Sequence, residues 1–295
     1  MTDTAPPTPE PDSGEPDRPP TLLVALDRIG APLATVVGWT LSVLDHTGHA
    51  MLVLWQATAW LFRGLFSPAV RLGRKAIVSQ VVRVGAKSVF IVSVVSSAVG
   101  LILTIQLIPN LDDFGQRALV ANIISIAVLR ELGPLIGAIV LTGFAGAAIA
   151  AEIGTMVVGE EIEALEAHAL NPVRFLVVPR VLASTVAMTC LSVISSFVAI
   201  LASLLISITA FGIPYEAYMN NMLTQSTVID FLTGTFKGTI FGMLIGIIAC
   251  VNGLKVTGGA AGVGNATTYT VVQCVVAIIF ADLVFTAIFF AIGLK

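Results

Sequence analysis

Charge is what this sequence has least of. Asp, Glu, Lys and Arg together make up 11% of 295 residues, against about 25% in an ordinary soluble domain. So few charges cannot cover the surface of a water-soluble chain, and 56% of the residues are hydrophobic, so lipid has to be the solvent for much of the molecule. Cysteine is equally sparse. Cys190, Cys250 and Cys274 lie far apart in apolar runs without CxxC spacing, which argues against a disulfide framework or thiolate metal site and reads as small buried hydrophobes. The three histidines, His46, His49 and His168, form no ligand cluster. His46 and His49 can share a helix face, but without carboxylates or cysteines beside them they read as an interfacial pair. The glycine-rich segment GGAAGVGNATT (258–268) lacks the Gly-Lys-Ser/Thr ending of a phosphate loop, and no strand precedes it. With no Ser–His–Asp arrangement either, the chain carries no catalytic site or cofactor site of its own.

What is present is organised as membrane spans. Residues 1–20, rich in Pro, Asp, Glu and Thr, read as a disordered tail, and they lack the basic start and apolar core of a secretory signal. Residues 21–82 mix apolar stretches with Trp39, Trp55 and Trp60 and with Arg63, Arg71, Arg74 and Lys75, which suits helices lying in the headgroup region. The alternative is one further span within 33–66. Spans are then expected at about 88–108, 118–156, 181–213, 236–254 and 270–294. The first stops at Pro109-Asn110. The second is long for a single crossing and is interrupted by Arg130-Glu131 and several glycines. The fold class is therefore an all-α integral membrane protein with about five transmembrane helices after an interfacial region. Lys and Arg placement puts the N-terminus and the 157–180 and 255–267 loops in the cytoplasm, and the 109–117 and 214–230 loops and the C-terminus outside.

Three features stand out. In the inner loop, VVGEEIEALEAHALNPVRFLVVPR (157–180), Glu160, Glu161, Glu163 and Glu166 open a short helix at the end where its dipole favours acids. Ile162, Leu165 and Ala169 supply an apolar stripe, and Asn171-Pro172 ends it. Such a helix suits docking into a soluble partner, or it is a solvated connection at the headgroups. Second, Arg130 and Glu131 sit in LRELGP (129–134). A lone charge in mid-bilayer costs about 2.5–3.5 kcal/mol, so both need partners or water. Beside the kink that Gly133-Pro134 permits, the pair is either a gate hinge or a structural anchor. Third, Gly143, Gly146, Ala147, Ala150 and Gly154 in TGFAGAAIAAEIG (142–154) recur at helical spacing and read as close helix packing. Among the remaining acids, Asp230 falls at the outer end of the fourth span. Asp282 falls in the middle of the fifth, either as a proton-coupling residue or hydrogen-bonded to a neighbouring helix.

LRELGP, GFAGAAIAAEIGTM, EEIEALEAHALNPVRFLVVPRVLA, FKGTIFGMLIGIIACVNG (236–253) and GVGNATTYTVVQCVVAIIFADLVFTAIFF (262–290) together resemble the MlaE/YrbE permeases of lipid-trafficking ABC transporters. The likeness runs from about Ser88 to the end of the chain. It implies a bacterial inner-membrane subunit that pairs with a second permease, identical or paralogous. Two copies of a cytoplasmic ATPase would bind the ATP and Mg, and periplasmic MCE-domain proteins would complete the assembly; no nucleic acid is implied. The cargo would be a phospholipid or related lipid held between the permeases. The coupling helix would span about 160–170, with Glu160, Glu161, Ile162, Glu163, Leu165 and Glu166 facing the ATPase. Arg130, Glu131, Leu132 and Pro134 would border the lipid cavity or gate, and Glu152 would fall in the family's AEIG element. The chain departs from the pattern at Phe144, where the family often has arginine, and at Val157-Val158, where a basic residue is common.

Two readings follow. In the first, the chain is the non-enzymatic membrane subunit of a lipid ABC transporter. In the second, it is a self-sufficient ion- or proton-coupled transporter using Asp282, Arg130 and Glu131.

Overall fold

The computed structural model describes residues 74–293 and, apart from them, Gly48; residues 74–293 belong to one unit, His49–Lys295. The tail and most of the interfacial region expected from the sequence lie outside the described residues. Five helices are long and apolar enough to cross a membrane: α1 (Val78–Asp113), α2 (Arg117–Val158), α4 (Val173–Thr209), α6 (Val228–Leu254) and α7 (Gly259–Ile292). Two short helices complete the described chain, α3 (Glu161–Ala167) between α2 and α4, and α5 (Tyr215–Gln225) between α4 and α6. No strand occurs among the described residues. At 1.5 Å per residue even α6 exceeds the roughly 30 Å of a hydrocarbon core. Successive long helices alternate in direction, so α3 marks one end of the bundle and α5 the other.

The helices overrun the expected spans because hydrophobicity marks only their lipid-bathed middle. Helix is continuous from Arg74, four residues ahead of α1, and passes a wide, π-type turn at Val82–Ala86 within α1, where an interfacial segment to residue 82 was expected. Pro109 does not end α1. It removes one N–H near the end of the helix, the chain continues one more turn to Asp113, and the Asn110 amide donates back to the Gln106 carbonyl at 2.8 Å. The span expected at 181–213 begins at Val173 and ends at Thr209, and the segment 214–230 contains α5. The glycine-rich stretch 258–268, expected within a loop, is helical from Gly259, leaving only residues 255–258 as the connection. Glycine lowers helix propensity by about 1 kcal/mol in water, but at a membrane boundary an unpaired backbone is costlier still, so helix wins.

Prolines inside α2 and α4 follow a common plan. Pro134 comes just after a π-type turn at Val128–Leu132, and Pro179 just after one at Val173–Val177. A proline ring clashes with the carbonyl four residues back, and the widened turn gives that carbonyl room without breaking the helix. A further π-type turn spans Thr142–Gly146.

α4 is the central post, flanked by α1, α2 and α6. Small residues set its contacts. On α1, Ser88, Val92, Ser96, Gly100, Thr104 and Ile108 are buried at every fourth position, and across the interface Ser96 pairs with Ser195 at 2.7 Å and Thr104 with Ser203 at 2.8 Å. On α6 the glycines at 234, 238, 242 and 246 recur with the same period. A Cβ at Gly242 would lie 2.5 Å from the Met188 Cβ and 2.6 Å from the Ser184 carbonyl, so α4 and α6 touch backbone to backbone. Three apolar clusters stack along the bundle. Ile153, Val181 and Val251 lie near α3; Leu141, Met188, Phe241 and Ile278 lie midway; Ile108, Ile124 and Tyr218 lie near α5. Tyr218 ties α5 down, its phenol donating to Ser203 at 3.0 Å. Outward positions are apolar too: Phe90, Phe197, Phe280 and Phe290 are each at least 66% exposed, as a lipid solvent requires and water would not permit.

The close α4–α6 contact makes a sharp prediction. Gly242→Leu should prevent recovery of monodisperse protein or cost more than the usual 1–3 kcal/mol of overpacking, because backbone rather than a side-chain tip is in the way. Gly264→Ala, which meets nothing within 4 Å, should leave size-exclusion behaviour and thermal midpoint unchanged.

Candidate functional site

Among the described residues, ion pairs inside the bundle collect in two places, both involving α2. Near the α3 end, the Glu152 carboxylate takes Arg83 of α1 at 2.5 Å and Arg180 of α4 at 3.5 Å, clasping three helices. Arg180 is buried, donates to the Leu176 carbonyl at 3.0 Å, and leaves its Nε without a partner.

The second cluster lies towards the α5 end. Lys237 of α6 is 1% exposed, and all three of its N–H donors are used. They go to the Glu131 carboxylate of α2 at 2.5 Å, the Asp282 carboxylate of α7 at 3.0 Å, and the Thr286 hydroxyl at 2.8 Å. The Thr286 hydroxyl donates in turn to the other Glu131 oxygen at 3.1 Å. One residue back on α2, Arg130 pairs with the buried carboxylate of Asp230. Asp230 also accepts the Thr227 backbone N–H at 2.7 Å, while Thr227 caps the Asp230 N–H in return, a reciprocal capping box that starts α6. Neighbours on a helix point about 100° apart, and the π-type turn at Val128–Leu132 widens that spread. Arg130 and Glu131 thereby reach two α6 residues two turns apart instead of each other. Lys237 lies about 13 Å from the start of α6 and Asp282 about 15 Å from the end of α7, so the cluster is well inside the bundle. A cavity of about 290 Å³ opens on it, lined by Arg130, Glu131, Lys237 and Thr286 together with Phe289 and Phe290.

Of the residues singled out from sequence, Arg130 and Glu131 line this cavity, while Leu132, half-buried, and Pro134, buried, follow them on α2 and are not among its lining residues. Gly146, Ala150 and Gly154 are buried, and a Cβ at Gly154 would meet Val256 at 2.8 Å. Gly143 is exposed with nothing within 4 Å of its missing Cβ. Phe144, at the position of the family's frequent arginine, is also exposed. Glu160, Glu161, Glu163 and Glu166 all stand exposed on or beside α3, while Ile162 and Leu165 are half-buried and Ile162 packs on the cluster around Ile153. The helix is shorter than the 160–170 expected. It closes at His168, with Ala169 in the left-handed region (φ 57°) and paired bonds from the Ala169 N–H to the Glu166 carbonyl and from the Leu170 N–H to the Leu165 carbonyl. That Schellman closure ends it before Asn171-Pro172 is reached. Asp282 is bonded to a neighbouring helix, as one of its two sequence readings had it.

Lys237 went unremarked in the sequence, although the signal was there. A lone lysine nine residues into an apolar helix has to find acids, and Glu131 and Asp282 were the unassigned ones.

Breaking a buried ion cluster by removing one partner costs about 3–5 kcal/mol. Lys237→Met should therefore lower the thermal midpoint of the detergent-solubilised protein markedly, and adding Glu131→Gln and Asp282→Asn to that chain should recover most of the loss. At α3, Ala169→Gly should be neutral or stabilising by up to about 1 kcal/mol, since glycine carries no left-handed penalty.

Comparison with known proteins agrees with this architecture. The family model "Permease MlaE" matches residues 77–288. Protein TRIGALACTOSYLDIACYLGLYCEROL 1, chloroplastic, of Arabidopsis thaliana is 32% identical over 247 residues, covering 80% of this chain and 71% of the plant protein. A probable ABC transporter permease protein of Synechocystis is 35% identical over 212 residues (72% and 81%), and one of Rickettsia prowazekii is 32% identical over 216 residues (73% and 83%). The match extends from the first membrane helix to the last, taking in Glu131, Lys237 and Asp282, and this chain belongs to the MlaE family of ABC transporter permeases.

Proposed function

We propose that this chain is the lipid-handling membrane subunit of an ABC transporter that moves phospholipids or related lipids between the bacterial inner membrane and a periplasmic assembly of MCE-domain proteins. The observation that carries the reading is the cavity of α2, α6 and α7, which sets charged and hydroxyl groups beside Phe289 and Phe290, the two chemistries of an amphiphile. Moving a methylene into water costs about 0.8 kcal/mol, so a whole acyl chain needs a continuous apolar path, and the outer face of α7 provides apolar surface beside that cavity. The plant relative's name, which is that of a galactolipid, supports a lipid cargo.

In this reading the N-terminus and the α3 end face the cytoplasm, and the α5 end and the C-terminus face the periplasm. A separate ATPase binds ATP and Mg, and a second permease copy, identical or paralogous, completes the membrane unit. The chain itself holds no cofactor and catalyses nothing. α3 is the coupling element. Ile162 keys it to the bundle, and Glu160, Glu161, Glu163 and Glu166 offer an acidic face to the ATPase. Arg130, Glu131, Leu132 and Pro134 border the lipid route.

Reconstitution with the ATPase tests this. Glu163→Lys should leave the complex assembled but lower lipid moved per ATP hydrolysed by about tenfold or more, since a like-charge contact at an interface exceeds the 1.4 kcal/mol that tenfold represents. Unchanged coupling in that variant would refute α3 as the transmission point. Lipid or ion movement by the chain alone, driven by an ion gradient, would favour the secondary-transporter reading instead.

A further inference from the structure

Counting charges in the cluster near α5 leaves it unbalanced. Arg130 and Lys237 supply two positive charges, and Glu131, Asp230 and Asp282 supply three negative ones. Among the described residues, Arg83, Lys87, Arg174 and Arg180 lie at the α3 end, Asp112 and Arg117 at the α5 end pair with each other, and Asp113 and Glu216 stand exposed there, so none of them corrects the sum. Asp230 has no need of a proton. It faces Arg130, takes the Thr227 backbone N–H and hydroxyl, and sits in the first turn of α6, where the helix dipole favours an anion. The surplus negative charge therefore belongs to the pair around Lys237. That ammonium has three hydrogens, all committed: one to each carboxyl and one to Thr286. The Glu131 and Asp282 carboxyls thus flank the same nitrogen. Two carboxylates side by side around one cation, well inside the bundle, repel each other, and a single proton between them removes both the repulsion and the excess charge.

We infer that Glu131 and Asp282 form a proton-binding site that holds one exchangeable proton shared between the two carboxyls, with Lys237 as its fixed counter-charge. The proton comes from water through the mouth of the cavity, where the Glu131 side chain is 34% exposed, and returns the same way. With the proton bound, the five charged groups sum to zero; without it, the cavity wall carries one net negative charge. Under the lipid reading above, an anionic headgroup entering the cavity meets a neutral wall in the first state and a repelling one in the second. The proton site itself stands on the charge count and geometry alone.

The test uses infrared difference spectroscopy of the full chain, purified with its partners in lipid nanodiscs, with no cargo added. The wild type should show one protonated-carboxyl C=O band that shifts in heavy water and titrates with pH. Glu131→Gln and Asp282→Asn should each abolish the whole band, because the remaining carboxylate pairs one-to-one with Lys237. Lys237→Met should double it, because both acids then need a proton. The two single variants are nearly isosteric, and their co-purification with the partners reads folding separately. Absence of the band in the wild type, or its survival unchanged in either single variant, would overturn the assignment. Loss of lipid transport with the band intact would instead count against the lipid reading and leave the proton site standing.

Discussion

An ammonium group carried about two and a half turns into a membrane helix must be neutralised by side chains from its neighbours, and much of the arrangement of α2, α6 and α7 answers to that requirement. Lipid offers no counter-charge and no hydrogen bonds, so Lys237 holds Glu131 of α2 and Asp282 of α7 to itself. Three helices are thereby fixed in register by one residue. The cost is strict stoichiometry, since each ammonium hydrogen has a dedicated acceptor and nothing nearby can substitute for a lost one. The same economy governs Arg130, whose acid Asp230 also starts α6.

Close helix contact is the other half of the construction. In lipid the hydrophobic effect does not press helices together, because a leucine is as well solvated by acyl chains as by another helix. Attraction comes from dispersion at short range and from hydroxyl bonds across the seams. The four-residue spacing of small residues on α1 and α6 fits this, as does the serine-rich post of α4 between them. α7 contrasts with them: it touches α6 and the later part of α2 along one edge, while Val272, Val276 and Phe280 face away from the bundle.

The apolar runs were legible as five helices, since about 20 consecutive apolar residues can satisfy their backbone in lipid only by coiling. Their ends were not, because a helix continues through the headgroups for reasons that hydrophobicity does not record. Pro109 read as a stop, yet so near a helix end it removes only one bond. The Gly-rich start of α7 read as a loop, since propensities measured in water undervalue helix at a membrane boundary. Of the charged cluster, the α2 half was readable. Its partners were not, since Arg130 and Glu131 meet residues 100 and 106 positions away and nothing local sets which acid meets which base. The glycines at 234, 238, 242 and 246 carry a spacing signal as strong as the one noticed at 143–154, and they make closer contacts.

α2 is the physical link between the two charged clusters, and its construction limits how they can communicate. Glu152 and Glu131 lie 21 residues apart, about 30 Å along a helix, with the π-type turn at Thr142–Gly146 between them. A regular α-helix transmits a push at one end as a rigid rod. A π-type turn spreads the hydrogen bonds of one turn over five residues and gives the rod a place to bend. Gly143 and Phe144 of that turn are exposed, whereas Ala145 and Gly146 are packed against the bundle. The bend therefore has a free side and an anchored side, which restricts motion there to a direction that the packing of α2 on α6 and α7 defines.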